Sequence, residues 1–174
     1  EKDSDRTLEG AIFGLFAKED IKSETTGKVL IEANEIIELK STDEEGKITF
    51  VADLPIGATY YVKELYAPDG FVTNDEVKEF TFEYAGEDQP TVTYDFTFEN
   101  QPTVVEFAKS SLTTGKELPG CKLKVVDADG NIVDEWTSGK EAHVIRELTV
   151  GKEYTLVETK PADGYVTAES VKFT

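Results

Sequence analysis

The chain has 174 residues, with 18 Lys and Arg against 36 Asp and Glu, a formal net charge of -18 and a single cysteine, Cys121. That balance argues against nucleic acid and anionic lipid as partners, since a surface so acidic repels both. One cysteine excludes an intrachain disulfide, and no apolar run resembles a membrane span or a secretory signal.

Strand signals dominate, taken in chain order. Leu8-Glu9-Gly10-Ala11-Ile12-Phe13 opens the first recognisable block. Leu30 to Leu39 has some helical character, but its β-branched residues favour a strand. Lys47-Ile48-Thr49-Phe50-Val51 alternates polar and apolar residues, and Thr59-Tyr60-Tyr61-Val62-Lys63 is aromatic and β-branched. Lys78 to Tyr84, Thr93 to Phe98, Lys122 to Val126 and Glu153 to Val157 continue the pattern. Turn dipeptides separate these runs, among them Glu45-Gly46, Asp69-Gly70, Asp129-Gly130 and Asp163-Gly164. Strands of this length and spacing predict antiparallel sandwiches.

The most informative feature is a repeat. Leu54-Pro55-Ile56-Gly57-Ala58-Thr59-Tyr60-Tyr61-Val62-Lys63-Glu64, followed by Ala67-Pro68-Asp69-Gly70-Phe71-Val72-Thr73, matches Leu148 to Glu158 and Pro161 to Thr167 without a gap. Leu8 to Phe13 likewise matches Leu118-Pro119-Gly120-Cys121-Lys122-Leu123. Two domains are therefore expected, residues 1–101 and 102–174, joined at Gln101-Pro102-Thr103, where Pro102 favours an extended connection. Copy one carries extra residues around Ala17 to Glu45. The chain has no methionine and starts and stops abruptly, so it reads as a piece of a longer protein.

Most of the usual chemistry finds no support. Asp127-Ala128-Asp129-Gly130-Asn131 copies the opening of a calcium loop, but Ile132 and Ser138 stand where the loop needs Gly and a bidentate Glu, so a hairpin turn is expected. No metal or cofactor is expected. His143 is the only histidine and has no counterpart in copy one, so a triad or His-ligated zinc lacks partners. Cys121 reads as a small core residue, and Trp136 as packing rather than a sugar platform. What remains is a Glu in each copy, Glu64 and Glu158, within an apolar strand. Side chains alternate along a strand. Glu64 therefore shares its face with Val62 and Tyr60, and Glu158 with Leu156 and Tyr154. Both should be buried, and desolvation should push them toward the protonated form.

The pattern Leu-x-Gly-[Ala/Cys], then Gly-x-x-Tyr-x-x-x-Glu, then Asp-Gly-[Phe/Tyr], resembles the Cna protein B-type, or SpaA-like, domains of Gram-positive pilins and surface adhesins, and the resemblance covers both copies. It implies an all-β fold of two tandem prealbumin-like, reverse-immunoglobulin Greek-key sandwiches. It also implies an extracellular, wall-anchored stalk with neighbouring repeats as partners and no enzymatic turnover. An adhesive module that binds a host matrix protein or glycan is the alternative. Many members of this family form an isopeptide bond between a Lys of the first strand and an Asn or Asp of the last, assisted by a buried Glu or Asp. Carried over, the assisting acids are Glu64 and Glu158. Asn100 is the acceptor of copy one, and Lys109 the amine of copy two, whose last strand with its acceptor is expected to be missing, leaving no complete triad there. Lys2 is the amine candidate of copy one, with Glu1 an equally good alignment to that position.

Overall fold

The computed structural model describes residues 6–83 and 92–174. Lys2 and Tyr84, the end of one expected strand, lie outside them. The described elements are all strands: β1 Ile12–Ala17, β2 Ile21–Lys22, β3 Val29–Ile31, β4 Ile36–Ser41, β5 Thr59–Tyr66, β6 Phe71–Val72, β7 Val77–Thr81, β8 Gln101–Pro102, β9 Val104–Phe107, β10 Lys122–Asp127, β11 Ile132–Thr137, β12 His143–Arg146, β13 Tyr154–Lys160 and β14 Val171–Phe173. The chain divides into two compact units, one of residues 1–68 and 72–101, the other of residues 69–71 and 102–174.

Each unit is built on the same four-stranded antiparallel sheet, β4-β1-β5-β7 in copy one and β11-β10-β13-β14 in copy two. The inner faces carry the alternating apolar residues. In copy one Phe13, Leu15, Ala17, Tyr60 and Val62 form the core. In copy two Val125, Ile145, Leu148 and Tyr154 form one cluster, and Cys121, Leu123 and Ala162 another. The matched tyrosines do the same job. Both are buried, Tyr60 donates its hydroxyl proton to the Pro55 carbonyl (2.8 Å), and the Tyr154 oxygen accepts the Thr149 N–H (3.0 Å).

A second layer closes each core. In copy two it is the ladder of β9 and β12. In copy one the expected strands Lys47–Val51 and Thr93–Phe98 form no ladder. Ile48, Phe50, Ala52 and Phe98 still pack on the core, so the layer is held by side chains. The physical reason is partly visible at Glu38. Its carboxylate accepts the N–H groups of Val51 (2.8 Å) and Ala52 (2.9 Å), which a neighbouring strand's carbonyls would otherwise take. These bonds and the Lys40 ammonium outweigh burial and hold the Glu38 carboxyl below the usual carboxylate range.

The stretch Leu30 to Leu39 is extended, as its β-branched residues predict, but in two pieces. β3 and β4 are separated by a turn in which Asn34 adopts a left-handed conformation (φ 65°), tolerable for Asn. The apparent insertion Ala17 to Glu45 is only partly extra, because β4 is the counterpart of β11. The addition is the β2–β3 hairpin. Its turn is one the chain uses twice. In Ser23-Glu24-Thr25-Thr26-Gly27-Lys28 the Gly27 N–H reaches the Ser23 carbonyl and the Ser23 N–H the Lys28 carbonyl. Ser111-Leu112-Thr113-Thr114-Gly115-Lys116 makes the same two bonds.

Another device is duplicated without being legible in the sequence. Thr42 Oγ1 accepts the Ala11 N–H (2.9 Å) and donates to the Leu8 carbonyl (2.6 Å). Ser138 Oγ accepts the Cys121 N–H (2.9 Å) and donates to the Leu118 carbonyl (2.7 Å). Each hydroxyl ties the turn before the central strand to the end of the edge strand. Removing one leaves the buried N–H of Ala11 or Cys121 unmatched, at about 1–3 kcal/mol. Ser138→Ala should therefore destabilise copy two by that amount in urea unfolding, whereas Ser138→Thr, the residue at the matching place in copy one, should not.

Candidate functional site

Glu64 sits on β5, 4% exposed, with Tyr60 and Val62 on the same buried face, as the alternation predicts. It stands opposite Phe13, and the register slips between Ile12 and Phe13. In copy two Glu158, 7% exposed, stands opposite Leu123, with the same slip between Lys122 and Leu123. A bulge of this kind re-aims a side chain. It recurs immediately after the carboxylate in both copies.

The two carboxylates share one ligand and differ in the other. Glu64 Oε2 accepts the Asn74 N–H, and Glu158 Oε2 accepts the N–H of Ala168, the matching residue. In copy one the second partner is Asn100. Its Nδ2 donates to Glu64 Oε1 (2.9 Å), to Oε2 (2.7 Å) and to the Val72 carbonyl (3.0 Å). A backbone carbonyl only accepts, so the Val72 contact fixes which end of the Asn100 amide faces the acid. The approach of Asn100 is set by Phe98, whose ring packs on Phe13 at 4.9 Å between centroids. It is also set by Asn74 Nδ2, which donates to the Glu99 carbonyl (3.0 Å).

In copy two the second partner is a cation. Lys109 Nζ lies 3.4 Å from Glu158 Oε1, and the Glu158 side chain is only 3% exposed. Burial pushes the Glu158 carboxyl up. The Ala168 N–H, the Cys121 thiol and the Lys109 ammonium together outweigh it, so the group lies below the usual carboxylate range. The expectation from burial alone, a carboxyl driven toward its protonated form, is therefore reversed at Glu158. The charge partner and the directed donors were invisible in the strand pattern.

The remaining candidates are structural. Asp127 Oδ1 accepts the N–H groups of Asp129 (3.0 Å) and Asn131 (2.8 Å), and its Oδ2 the Asn131 side-chain amide (2.9 Å). These turn donors occupy both carboxylate oxygens, as a hairpin requires. Among the described residues no group of three or more His, Cys, Asp or Glu is placed to hold a metal ion. His143 stacks on Trp136 at 4.2 Å, and its Nε2 meets Asp134 Oδ2 at 2.8 Å. Asp134 is the counterpart of Glu38. One methylene shorter, it meets an imidazole where Glu38 reaches backbone. Cys121 is fully buried.

The sites thus bring together Glu64 with Asn100, and Glu158 with Lys109. The sequence matches SpaA, a prealbumin-like fold domain, over residues 1–100 and 103–174. The chain belongs to this family. No curated protein matches the sequence. Among solved structures, the chain is similar to the Bacillus anthracis TIE protein at 25% identity and a TM-score of 0.53, covering 98% of this chain and 29% of that one. It therefore spans less than a third of that relative. The shaft pilin SpaA of Lactobacillus rhamnosus GG, as its D295N mutant, matches at 20% identity with a TM-score of 0.42, over 98% of this chain and 85% of that one. A C-terminal fragment of the pilus adhesin SpaC from the same organism matches at 17% identity with a TM-score of 0.49, over 99% and 77%.

Proposed function

We propose that this tandem SpaA-family segment is a structural stalk of a pilin-like or adhesin-like protein on a Gram-positive cell surface, and that copy one closes an amide between Lys2 and Asn100. The observation that carries the reading is the contact of Asn100 Nδ2 with both oxygens of the buried Glu64. The neutral Lys2 amine attacks Asn100 Cγ. The new Nζ–Cγ bond forms, the Cγ–Nδ2 bond breaks, and ammonia leaves. One proton must travel from Nζ to Nδ2. Glu64, already against Nδ2, takes the first and returns one to the leaving nitrogen, which is general acid–base work by one carboxyl. Rigid placement supplies the effective concentration that a reaction without turnover needs. Lys109 and Glu158 are the corresponding amine and acid of copy two, resting as an ion pair.

The intact mass decides it. The chain should weigh one ammonia less than its sequence, Glu64→Ala should restore the full mass, and tandem mass spectrometry should place the branch at Lys2. A wild-type mass equal to the sequence mass refutes the bond.

A further inference from the structure

The outer faces of the two matched sheets have diverged. On copy one Ile12, Gly14 and Tyr66 lie on the outer face of β1 and β5. Their counterparts in copy two are Lys122, Lys124 and Lys160, on β10 and β13. The fold therefore does not demand lysine at these positions. Lys122 stands directly opposite Lys160, an arrangement that costs stability by itself. Among the described residues no ion pair relieves any of the three, although Glu135 stands opposite Lys124. Lys122 and Lys160 are exposed. The charge of the chain is distributed to match. Residues 102–174 hold 9 Lys and Arg against 12 Asp and Glu, leaving 9 against 24 in residues 1–101, so the copies carry -3 and -15. At physiological ionic strength the screening length is about 8 Å, so this face acts through its own charges rather than through the net -18.

We propose that the outer face of the copy-two sheet, at Lys122, Lys124 and Lys160, docks a linear polyanion bearing phosphate charges. All three groups are ammonium point charges and none is a guanidinium fork, so the face lacks the bidentate geometry a fork gives to carboxylate or phosphate. Lysine binds phosphate as a point charge, and phosphates carried in variable orientations along a chain suit such donors. The other outward residues, Val126, Glu135, Thr137, Thr155, Val157 and Lys172, offer no aromatic platform, so stacked bases gain nothing here.

Inorganic polyphosphate titrated into the 15N-labelled chain at physiological salt tests this. Saturable amide shifts should concentrate on β10 and β13, and log affinity should fall with log salt at a slope of about 2–3, the value for three ions released. Lys122→Ala/Lys124→Ala/Lys160→Ala should lose at least about 10-fold in affinity, roughly what half a kilocalorie or more per contact gives, with its spectrum otherwise unchanged. No shifts, shifts elsewhere, or an undiminished response in the triple variant would overturn the proposal. So would equal binding of polyglutamate, which removes the phosphate assignment, or self-association of the chain through this face that polyphosphate does not displace.

Discussion

Asn100→Ala is expected to lower the melting temperature of copy one by some tens of degrees. A cross-link between Lys2 and Asn100 closes a loop of about 100 residues, and by analogy with a disulfide of that span the unfolded chain loses entropy equivalent to about 4–5 kcal/mol. For a domain of this size each kcal/mol is about 4–8 °C. If Asn100 only hydrogen-bonds Glu64, the loss is that of the hydrogen bonds alone, about 1–3 kcal/mol, and the shift is correspondingly smaller. Calorimetry of wild type, Asn100→Ala and Glu64→Ala separates the two cases. With the bond, both variants fall by tens of degrees and each recovers its full mass. Without it, both fall by the smaller amount and the wild-type mass already equals its sequence mass; in either case Glu64→Ala falls somewhat further, because it also strands the Asn74 N–H. Pulling on the termini gives a second readout. A bond from residue 2 to residue 100 carries the load past copy one, which should add no unfolding length in the wild type and a full domain's length in either variant.

The parts of this arrangement that the sequence disclosed are those governed by periodicity. Counting from Tyr60 and Tyr154 puts Glu64 and Glu158 on buried faces, and both are buried. The gapless match around them carried into matched strand registers, down to the same bulge. What escaped depended on partners distant in the chain. Thr42 and Ser138 occupy the same place in the two clasps, but Thr and Ser in dissimilar surroundings carry no pattern of their own. The expected strands at Lys47–Val51 and Thr93–Phe98 have the right alternation, yet ladder formation depends on what stands opposite, and at Val51 that is a carboxylate. The ionisation of Glu158 departs from expectation for the same reason. Burial can be read from alternation, while Lys109, Ala168 and Cys121 meet the acid only in the folded chain.

The Lys109–Glu158 pair yields the second large effect. Lys109→Ala removes the counter-charge from a carboxylate whose side chain is only 3% exposed, and breaking such a pair costs about 3–5 kcal/mol when both partners are fully buried. Lys109 is 23% exposed, so water recovers part of this, and about 2–4 kcal/mol is expected at neutral pH. The pH dependence identifies the cause. The Glu158 carboxyl is held below its ordinary range in the folded chain, while in the unfolded chain it titrates near about 4.3. Its stabilising contribution is therefore fully present above that value and disappears as pH falls through the lower, folded one. Urea unfolding of wild type and Lys109→Ala should show the gap at pH 7 and a clearly smaller gap near the acid limit of folding. A gap that stays constant across that range would assign the loss to the packing of the lysine stem. A reactive role for Lys109 would then have no electrostatic basis, because an ammonium that does not pair with Glu158 has no acid positioned to take its proton.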